Sequence, residues 1–346
     1  MSLTRRATGP GRVNLIGDHT DYNQGLALPI AIGLGVTVEF TPTDQPPLSV
    51  TSTAFGPTIS LPLDLRADTA LSRLEPPWAR LIGAVFAMAR PGTGGDLRID
   101  ATLPIGSGLS SSAAVAVAMA EVFGVAGSAA DIARLCQEAE RRSGVPVGAM
   151  DPLVCAGGRK GHALLMDFSG RAGPSTSMVA VPAEASIVVI DSGQRRTVRT
   201  SGYAARVAEC EAAASIIGPL GLAHEDDLVV VHDPVLRRRA RHVITECRRV
   251  RQYVEAFAAG DLVAAGALMT ESHRSLADEF AVSTPALDRL VDRVVSRPGV
   301  FGARLTGAGF GGCVVALSRP GALDVEAFGT SAWTVFPSDG TVASRP

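Results

Sequence analysis

Lysine is almost missing from this chain: among 346 residues only Lys160 carries an ammonium side chain, and arginine supplies nearly all the positive charge. A Walker A phosphate loop needs G-K-[ST], and a protein kinase needs a strand lysine in its nucleotide pocket. Lys160 sits in "GGRKGHA", which serves neither, so any ATP bound here rests in another kind of cradle. The formal net charge is −2, which leaves no basic field for nucleic acid or an anionic membrane. Cys136, Cys155, Cys210, Cys247 and Cys313 form no C-x-x-C pair, and the histidines form no metal-ligand cluster. Reduced thiols in a cytoplasmic protein are the expectation. No apolar run reaches the roughly 18 residues of a membrane span, and no signal-peptide h-region opens the chain. Aromatics are 5% of residues against 46% hydrophobic overall, so Ala, Val, Leu and Ile must fill the core.

The apolar residues are organised in two periods. "LGVTVEFTP" (34–42) and "GDLRIDATLP" (95–104) alternate like strands. "EPPWARLIGAVFAMARPG" has helical spacing and stops at Pro-Gly, and "SSSAAVAVAMAEVFGVAG" is a small-residue helix after a glycine-rich loop. "SAADIARLCQEAERRSG" reads as a helix that Ser128 or Asp131 can cap and Gly144 can end. "GHALLMDFSG" and "ASIVVIDSG" read as buried strands, and Tyr203 to Ile217, Pro234 to Ala259 and Leu262 to Glu279 as helices. These elements lack the regular βα alternation of a doubly wound sheet, so the expected class is α+β. A division near residue 183, in "VPAEA", gives lobes of 1–183 and 184–346.

Three segments carry the chemistry. "GPGRVNLIGDHTDYNQG" (9–25) packs an arginine, a histidine and two aspartates among glycines and apolar residues. "LPIGSGLSSSAA" (103–114) places Gly106 and Gly108 before three serines at a helix start. Glycine allows close backbone approach there, and the unpaired N–H groups of the helix favour phosphate without any lysine. A serine hydroxyl at such a place can also ligate Mg²⁺. A Ser-capped helix after a tight turn is the competing reading of the same residues. "TGAGFGGC" holds Gly307, Gly309, Gly311 and Gly312 within six residues, either a bulged hairpin or a second approach to a polyanion.

In this order the three segments resemble the motifs of the GHMP kinase superfamily. The first resembles the galactokinase signature G-R-V-N-L-I-G-E-H-T-D-Y-N, and "GVPVGAMDPLVCAGG" resembles the family segment that carries its catalytic aspartate. "SGYAARVAEC", "RRARHVITE" and "ESHRSLADEFAVSTPALD" extend the similarity from about Gly9 to Leu317. The resemblance implies a two-lobed GHMP kinase fold with the active site in the cleft between lobes. It also implies transfer of the γ-phosphoryl group of ATP, with Mg²⁺, to the anomeric hydroxyl of α-D-galactose. Asp151 would be the catalytic base and Arg12 the arginine beside it, keeping the carboxylate ionised. Asp18, His19, Asp21, Gly148 and Tyr203 would face the sugar. Pro104, Gly106, Ser107, Gly108, Leu109, Ser110, Ser111, Ser112, Gly307 and Gly309 would hold the nucleotide, with Ser112 and Glu140 on the metal. Sugar and ATP are the implied partners, with no nucleic acid and no membrane, and the chain is expected to be a monomer, a dimer being the alternative.

Three departures accompany the resemblance. Position 18 is Asp where the family has Glu, Pro152 follows Asp151 where glutamine is common, and the interval from Glu140 to Asp151 is one residue shorter. Asp18 motivates one alternative, a kinase for an N-acetylated, deoxy or pentose analogue. The other alternative is a sugar- and ATP-binding sensor of the same fold without catalysis. Arg237, Arg238, Arg239 and Arg241 read as a solvated helix face, Trp78 as a core residue of the first half, and His224, His232, His242 and His273 lack the spacing of a metal set.

Overall fold

The computed structural model of the protein describes residues 3–44, 47–66, 71–144, 148–171, 173–194, 202–328 and 331–344. β1 (Arg5–Asn14) leads to the short β2 (Leu26–Ala27), the long β3 (Pro29–Thr43) and the antiparallel pair β4 (Leu48–Ser52) and β5 (Gly56–Leu61). Helix α1 (Ala79–Ala89) and β6 (Gly94–Ala101) follow, then α2 (Ser111–Val122), α3 (Ala129–Arg142) and α4 (Met150–Gly157). β7 (His162–Asp167) and β8 (Ser175–Ala180) close the first half. The second half runs β9 (Ser186–Asp191), α5 (Tyr203–Ile217), α6 (Pro234–Ala258), α7 (Leu262–Asp278) and α8 (Pro285–Val295). It ends with β10 (Val300–Thr306), β11 (Cys313–Ser318), β12 (Ala332–Val335) and β13 (Val342–Ser344).

Among the described residues the strands form three sheets, ordered β13-β1-β3-β6-β4-β5, β10-β11-β9-β12 and β2-β7-β8. Among the described residues only the β4–β6 pairing is parallel, so the α+β expectation agrees with the structure. The expected division at residue 183 falls in the connection between β8 and β9, and β13 from the chain's end pairs with β1.

Small residues let the layers close. In α2 the run from Ala113 to Ala120 is buried throughout, as suits a helix that is apolar on every side. A Cβ on Gly9 of β1 would stand 2.0 Å from the Ala114 carbonyl oxygen, so α2 lies directly against the strand that carries Arg12. In the second sheet both faces are covered. Ile187, Val189, Val315 and Leu317 pack into one core, and their neighbours Val188, Ile190, Val314 and Ala316 pack into the other. Side chains alternate along a strand, so burial on both faces explains why these segments read as unbroken apolar runs.

The α3 start is held by a capping box: Asp131 N–H donates to Ser128 Oγ, and Ser128 N–H donates to Asp131. Pro152 lies in the first turn of α4, where its missing N–H breaks no helical bond. The solvated reading of the arginine cluster requires correction at Arg239. Arg239 is buried, donating through Nε to Glu209 Oε2 at 2.6 Å and through Nη1 to the Glu279 carbonyl. Helix α6 is covered on that face by α5 and the end of α7, and the carboxylate of Glu209 makes the burial tolerable. Among the described residues no helix is long and apolar enough to cross a membrane.

β10 is located by glycine-to-glycine contact with α7. A Cβ on Gly302 would lie 1.8 Å from the Gly266 carbonyl oxygen. Gly302→Ala should therefore destabilise the protein by about 1–3 kcal/mol, as overpacking does, read from the urea midpoint. Gly33→Ala, where nothing stands within 4 Å, is the control expected to stay within about 0.5 kcal/mol of wild type.

Candidate active site

The cavity forms where β1 ends, α2 and α4 begin, and β10 runs into the second glycine loop. Arg12, Asp18, His19, Asp21, Tyr22, Gly106, Gly108, Ser110, Ser111, Ser112, Gly148, Met150, Asp151, Tyr203, Gly307 and Ala308 line it. Residues 145–147, inside the interval that is one residue short, lie outside the described residues.

Arg12 is buried near the end of β1 and grips three elements. Its Nε donates to Asp151 Oδ1 and its Nη2 to Asp151 Oδ2, both at 2.8 Å, and Nη1 donates to the Gly108 carbonyl. This two-bond fork fixes the carboxylate's plane as well as its position. Burial alone would lower the guanidinium pKa, but the charges of Asp151 and Asp18 outweigh it and raise it further. Ser110 Oγ donates to Asp151 Oδ2 as well.

That last bond decides what the first glycine loop does. Ser110 occupies the N-cap position of α2 in a left-handed conformation, φ 62°, and its side chain makes no cap hydrogen bond. The hydroxyl turns to Asp151 instead, so the Ser-capped reading does not apply to Ser110. Gly106 and Gly108, at φ 78° and 84°, bend the loop so that α2 points its first turn into the cavity. Pro104, Ser107 and Leu109 do not line it. Ser107 Oγ donates to the Pro104 carbonyl at 2.7 Å, and the Leu109 carbonyl accepts from Arg12 N–H at 3.1 Å. These three shape the loop. Gly307 lines the cavity, whereas Gly309 packs against Val282, where a Cβ would meet the carbonyl oxygen at 2.4 Å.

Asp21 and Gly148 are in close register. A Cβ on Gly148 would fall 1.5 Å from Asp21 Oδ2, which Met150 N–H approaches at 3.5 Å. Burial raises the Asp21 pKa to about 6, with the negative charge of Asp151 adding to the effect. The turn that presents Asp21 is laced internally. Thr20 Oγ1 donates to the carbonyls of Gly17 and Leu26, and Asn23 Nδ2 to that of His19. His19 sits at φ 65° with Nδ1 2.9 Å from Tyr22 Oη, and its ring meets those of Tyr203 and Phe280. Asp18 faces inward: its Oδ2 accepts from Arg304 Nη2 at 2.5 Å and its Oδ1 from Gly307 N–H at 3.1 Å.

Glu140 lies outside this cavity but beside Ser112, which it meets in an adjoining apolar hollow lined by Phe55, Pro77, Trp78, Leu81, Ile82 and Val115. Burial lifts its pKa to about 7 against the hydrogen bond of Ser112. Glu140 Oε2 is buried with no hydrogen-bond partner among the described residues. A hydroxyl and an under-satisfied carboxylate are oxygen donors of the kind Mg²⁺ takes along with phosphate and water, so these residues fit that ion. Trp78 packs against the core of the first half, in agreement with its expected place. It is half-buried, stacked with Phe55 at 5.8 Å between ring centres, and also lines the hollow. Sequence reasoning also missed Tyr22, Met150 and Arg304. Arg304 left one trace, a charged residue inside an apolar strand just before a glycine loop.

Family models match most of the first and last parts of the chain: the galactokinase galactose-binding signature over residues 4–42, the GHMP kinases N terminal domain over 79–159 and the GHMP kinases C terminal region over 253–327. A galactokinase of Homo sapiens is 39% identical over 326 residues, covering 90% of this chain and 82% of the relative. The chain belongs to the galactokinase family. A second galactokinase, from Chloroflexus aurantiacus, is 40% identical over 333 residues, 91% of this chain and 84% of the relative. The structure of Lactococcus lactis galactokinase complexed with galactose superposes with a TM-score of 0.87 at 28% identity, covering 98% of this chain and 95% of that one. A mevalonate kinase at 19% identity and TM-score 0.68 shares the fold, which is that of the GHMP kinases.

Asp18, Asp21 and Asp151 are thus crowded around one cavity, and the titration of Asp21 reports the crowding. In a carbon-detected NMR titration of the ligand-free protein, the Asp21 carboxyl should titrate near pH 6. In Asp151→Asn it should move to lower pH, because a like charge has been removed; a midpoint at the usual aspartate value in both proteins would contradict the geometry.

Proposed function

We propose that this chain transfers the γ-phosphoryl group of ATP to the C1 hydroxyl of α-D-galactose. The observation that carries the reading is the Arg12–Asp151 fork, set at the uncapped start of α2 in the same cavity as Asp21. The pair is intact, which favours a catalyst over a sensor of the same fold.

Each group has a physical task. Asp151, held in plane by the Arg12 fork, aims the C1 hydroxyl and accepts its proton as that oxygen bonds to the γ-phosphorus and the bond to the β-phosphate oxygen breaks, releasing ADP. In a loose transition state, positioning and charge stabilisation supply most of the catalysis. Arg12 Nη1 reaches the Gly108 carbonyl, so its charge stands beside the loop that would hold the phosphates. The first-turn amides of α2, with Gly106 and Gly108, supply a cradle with no lysine. Asp21, once ionised, accepts hydrogen bonds from two neighbouring hydroxyls and so distinguishes their stereochemistry. Gly148 leaves room for it. The adenine fits the hollow of Phe55, Trp78, Leu81 and Val115, where Trp78 Nε1 is buried without a partner among the described residues. Ser112 and Glu140 would hold Mg²⁺, which would supply charge neutralisation on the phosphates.

Purified protein incubated with ATP, Mg²⁺ and a panel of hexoses should release ADP with galactose; absence of galactose-dependent ADP would remove the assignment. Asp151→Ala should lower kcat by about 10²–10⁴-fold while affinity for an ATP analogue changes by less than about threefold. Unchanged turnover in that variant rules Asp151 out as the base. Because burial pushes the Glu140 pKa up to about 7, metal binding there would compete with its proton. The Mg²⁺ concentration for half-maximal activity should rise as pH falls from 8 to 6, and Glu140→Gln should abolish most of that dependence.

A further inference from the structure

Arg304 heads the fully buried large side chains of the protein, with no exposed surface. It lies in β10, three residues ahead of Gly307. Its Nη2 donates to Asp18 and stands 3.8 Å from Glu246 Oε1, while Nε and Nη1 have no hydrogen-bond partner among the described residues. Stripping a guanidinium of water and leaving two of its groups unpaired is costly. Replacing a buried ion pair as a whole by apolar groups is often neutral or stabilising, so the Arg304–Asp18 pair bears on something other than stability.

What it bears on is Asp18. One oxygen of that carboxylate takes the guanidinium and the other takes Gly307 N–H, the first amide of the second glycine loop. The backbone behind it is held as firmly. Gly17 N–H donates to Glu246 Oε1, and His242 Nε2 donates to the Asp18 carbonyl. Glu246 is itself fixed by Ser272 Oγ and Arg249 Nε; burial would raise its pKa, but Arg249 and Arg304 hold it down at about 2. Asp18 also lines the cavity. A carboxylate with one lone pair on each oxygen already committed can accept a ligand hydroxyl only along the directions that remain.

We propose that Arg304 is a positioning residue of the reaction: by pinning Asp18 it fixes both the direction in which that carboxylate accepts from the sugar and the distance of the 307–309 loop from the sugar-side wall. This rests on the galactokinase reading. It also gives the aspartate at position 18 a physical role. The shorter side chain is tied to the strand and loop behind it, and its acceptor direction is set by the cation and no longer by its own rotamer. Loss of Arg304 frees the carboxyl. The charges then facing it are Arg12 from β1, Asp21 from the following turn and Glu246 from α6, with neutral His242 beside it. Burial already raises the Asp18 pKa against the charges of Arg304 and Arg12; without Arg304, burial and two like charges against one cation push it further toward the protonated acid, which no longer accepts as a carboxylate does.

The test is steady-state kinetics on the full chain from about pH 5 to 8 for wild type, Arg304→Met, Arg304→Lys, Asp18→Asn and the Asp18→Asn/Arg304→Met double variant. A non-hydrolysable ATP analogue, titrated without sugar, gives nucleotide affinity separately. Arg304→Met should raise galactose KM by about tenfold or more, with the analogue's Kd within about threefold. The acid limb of its kcat/KM profile should move to higher pH. Arg304→Lys should recover part of the loss, and the double variant should be no worse than Arg304→Met. The proposal is overturned if Arg304→Met and Arg304→Lys keep wild-type galactose KM, if sugar and analogue weaken equally, or if the two single effects multiply. Should Arg304→Met fail to fold, Asp18→Asn and Arg304→Lys decide by the same criteria. Wild type in the same assay tests the parent reading alone: if it prefers another hexose of the panel, that hexose replaces galactose in every comparison.

Discussion

The site depends on one guanidinium. Arg12 joins β1 to α4 through both oxygens of Asp151 and to the first glycine loop through the Gly108 carbonyl. Without it, a carboxylate in the first turn of a helix would be free to serve that helix's own amides. With it, Asp151 stands at a fixed height over the start of α2, and Ser110 is drawn to the same carboxylate. Strand, loop and helix are thereby located relative to a single oxygen pair. The buried neighbours follow from that. Asp21 and Glu140 are both raised by burial with Asp151's charge adding to it, so the cavity and the hollow beside it each hold an acid close to the point of taking up a proton.

The end of β10 is one of the places where the second half of the chain is tied to the first. Thr306 Oγ1 accepts from Asn14 N–H and donates to the Asn14 carbonyl, two residues beyond Arg12. Arg304 and Gly307 close on Asp18 from the same strand and the loop that follows it. The glycine contact between Gly266 and Gly302 sets this strand against α7. Placement of the sugar-side wall therefore runs through backbone packing far from the chemistry, and small residues are what permit it.

Much of this was legible in the sequence because it was local. The capping box of α3, the alternation of β3 and β6 and the small-residue α2 each declare themselves within a dozen residues. The glycine loops were also visible, since their conformations need glycine. Some things were not local. β1 was hidden by Gly9, Pro10 and Gly11, whose reasons are the close approach of α2 and a register shift against β3. The roles of Arg304 and Arg239 depend on carboxylates that lie far away in the chain, which no spacing rule reaches. Trp78 does pack against the core, but its place on the hollow was not legible, because an apolar helix face and the wall of an apolar cavity have the same pattern.

One feature of α2 has a wider effect. Natural helices generally satisfy their opening amides from within the chain, and this one sends its N-cap hydroxyl elsewhere. An anion seated there would complete the helix in the way a side chain elsewhere does. If the nucleotide sits there as proposed, its phosphates would supply the cap that the chain withholds from α2, and ligand occupancy and the order of that helix end would become a single equilibrium.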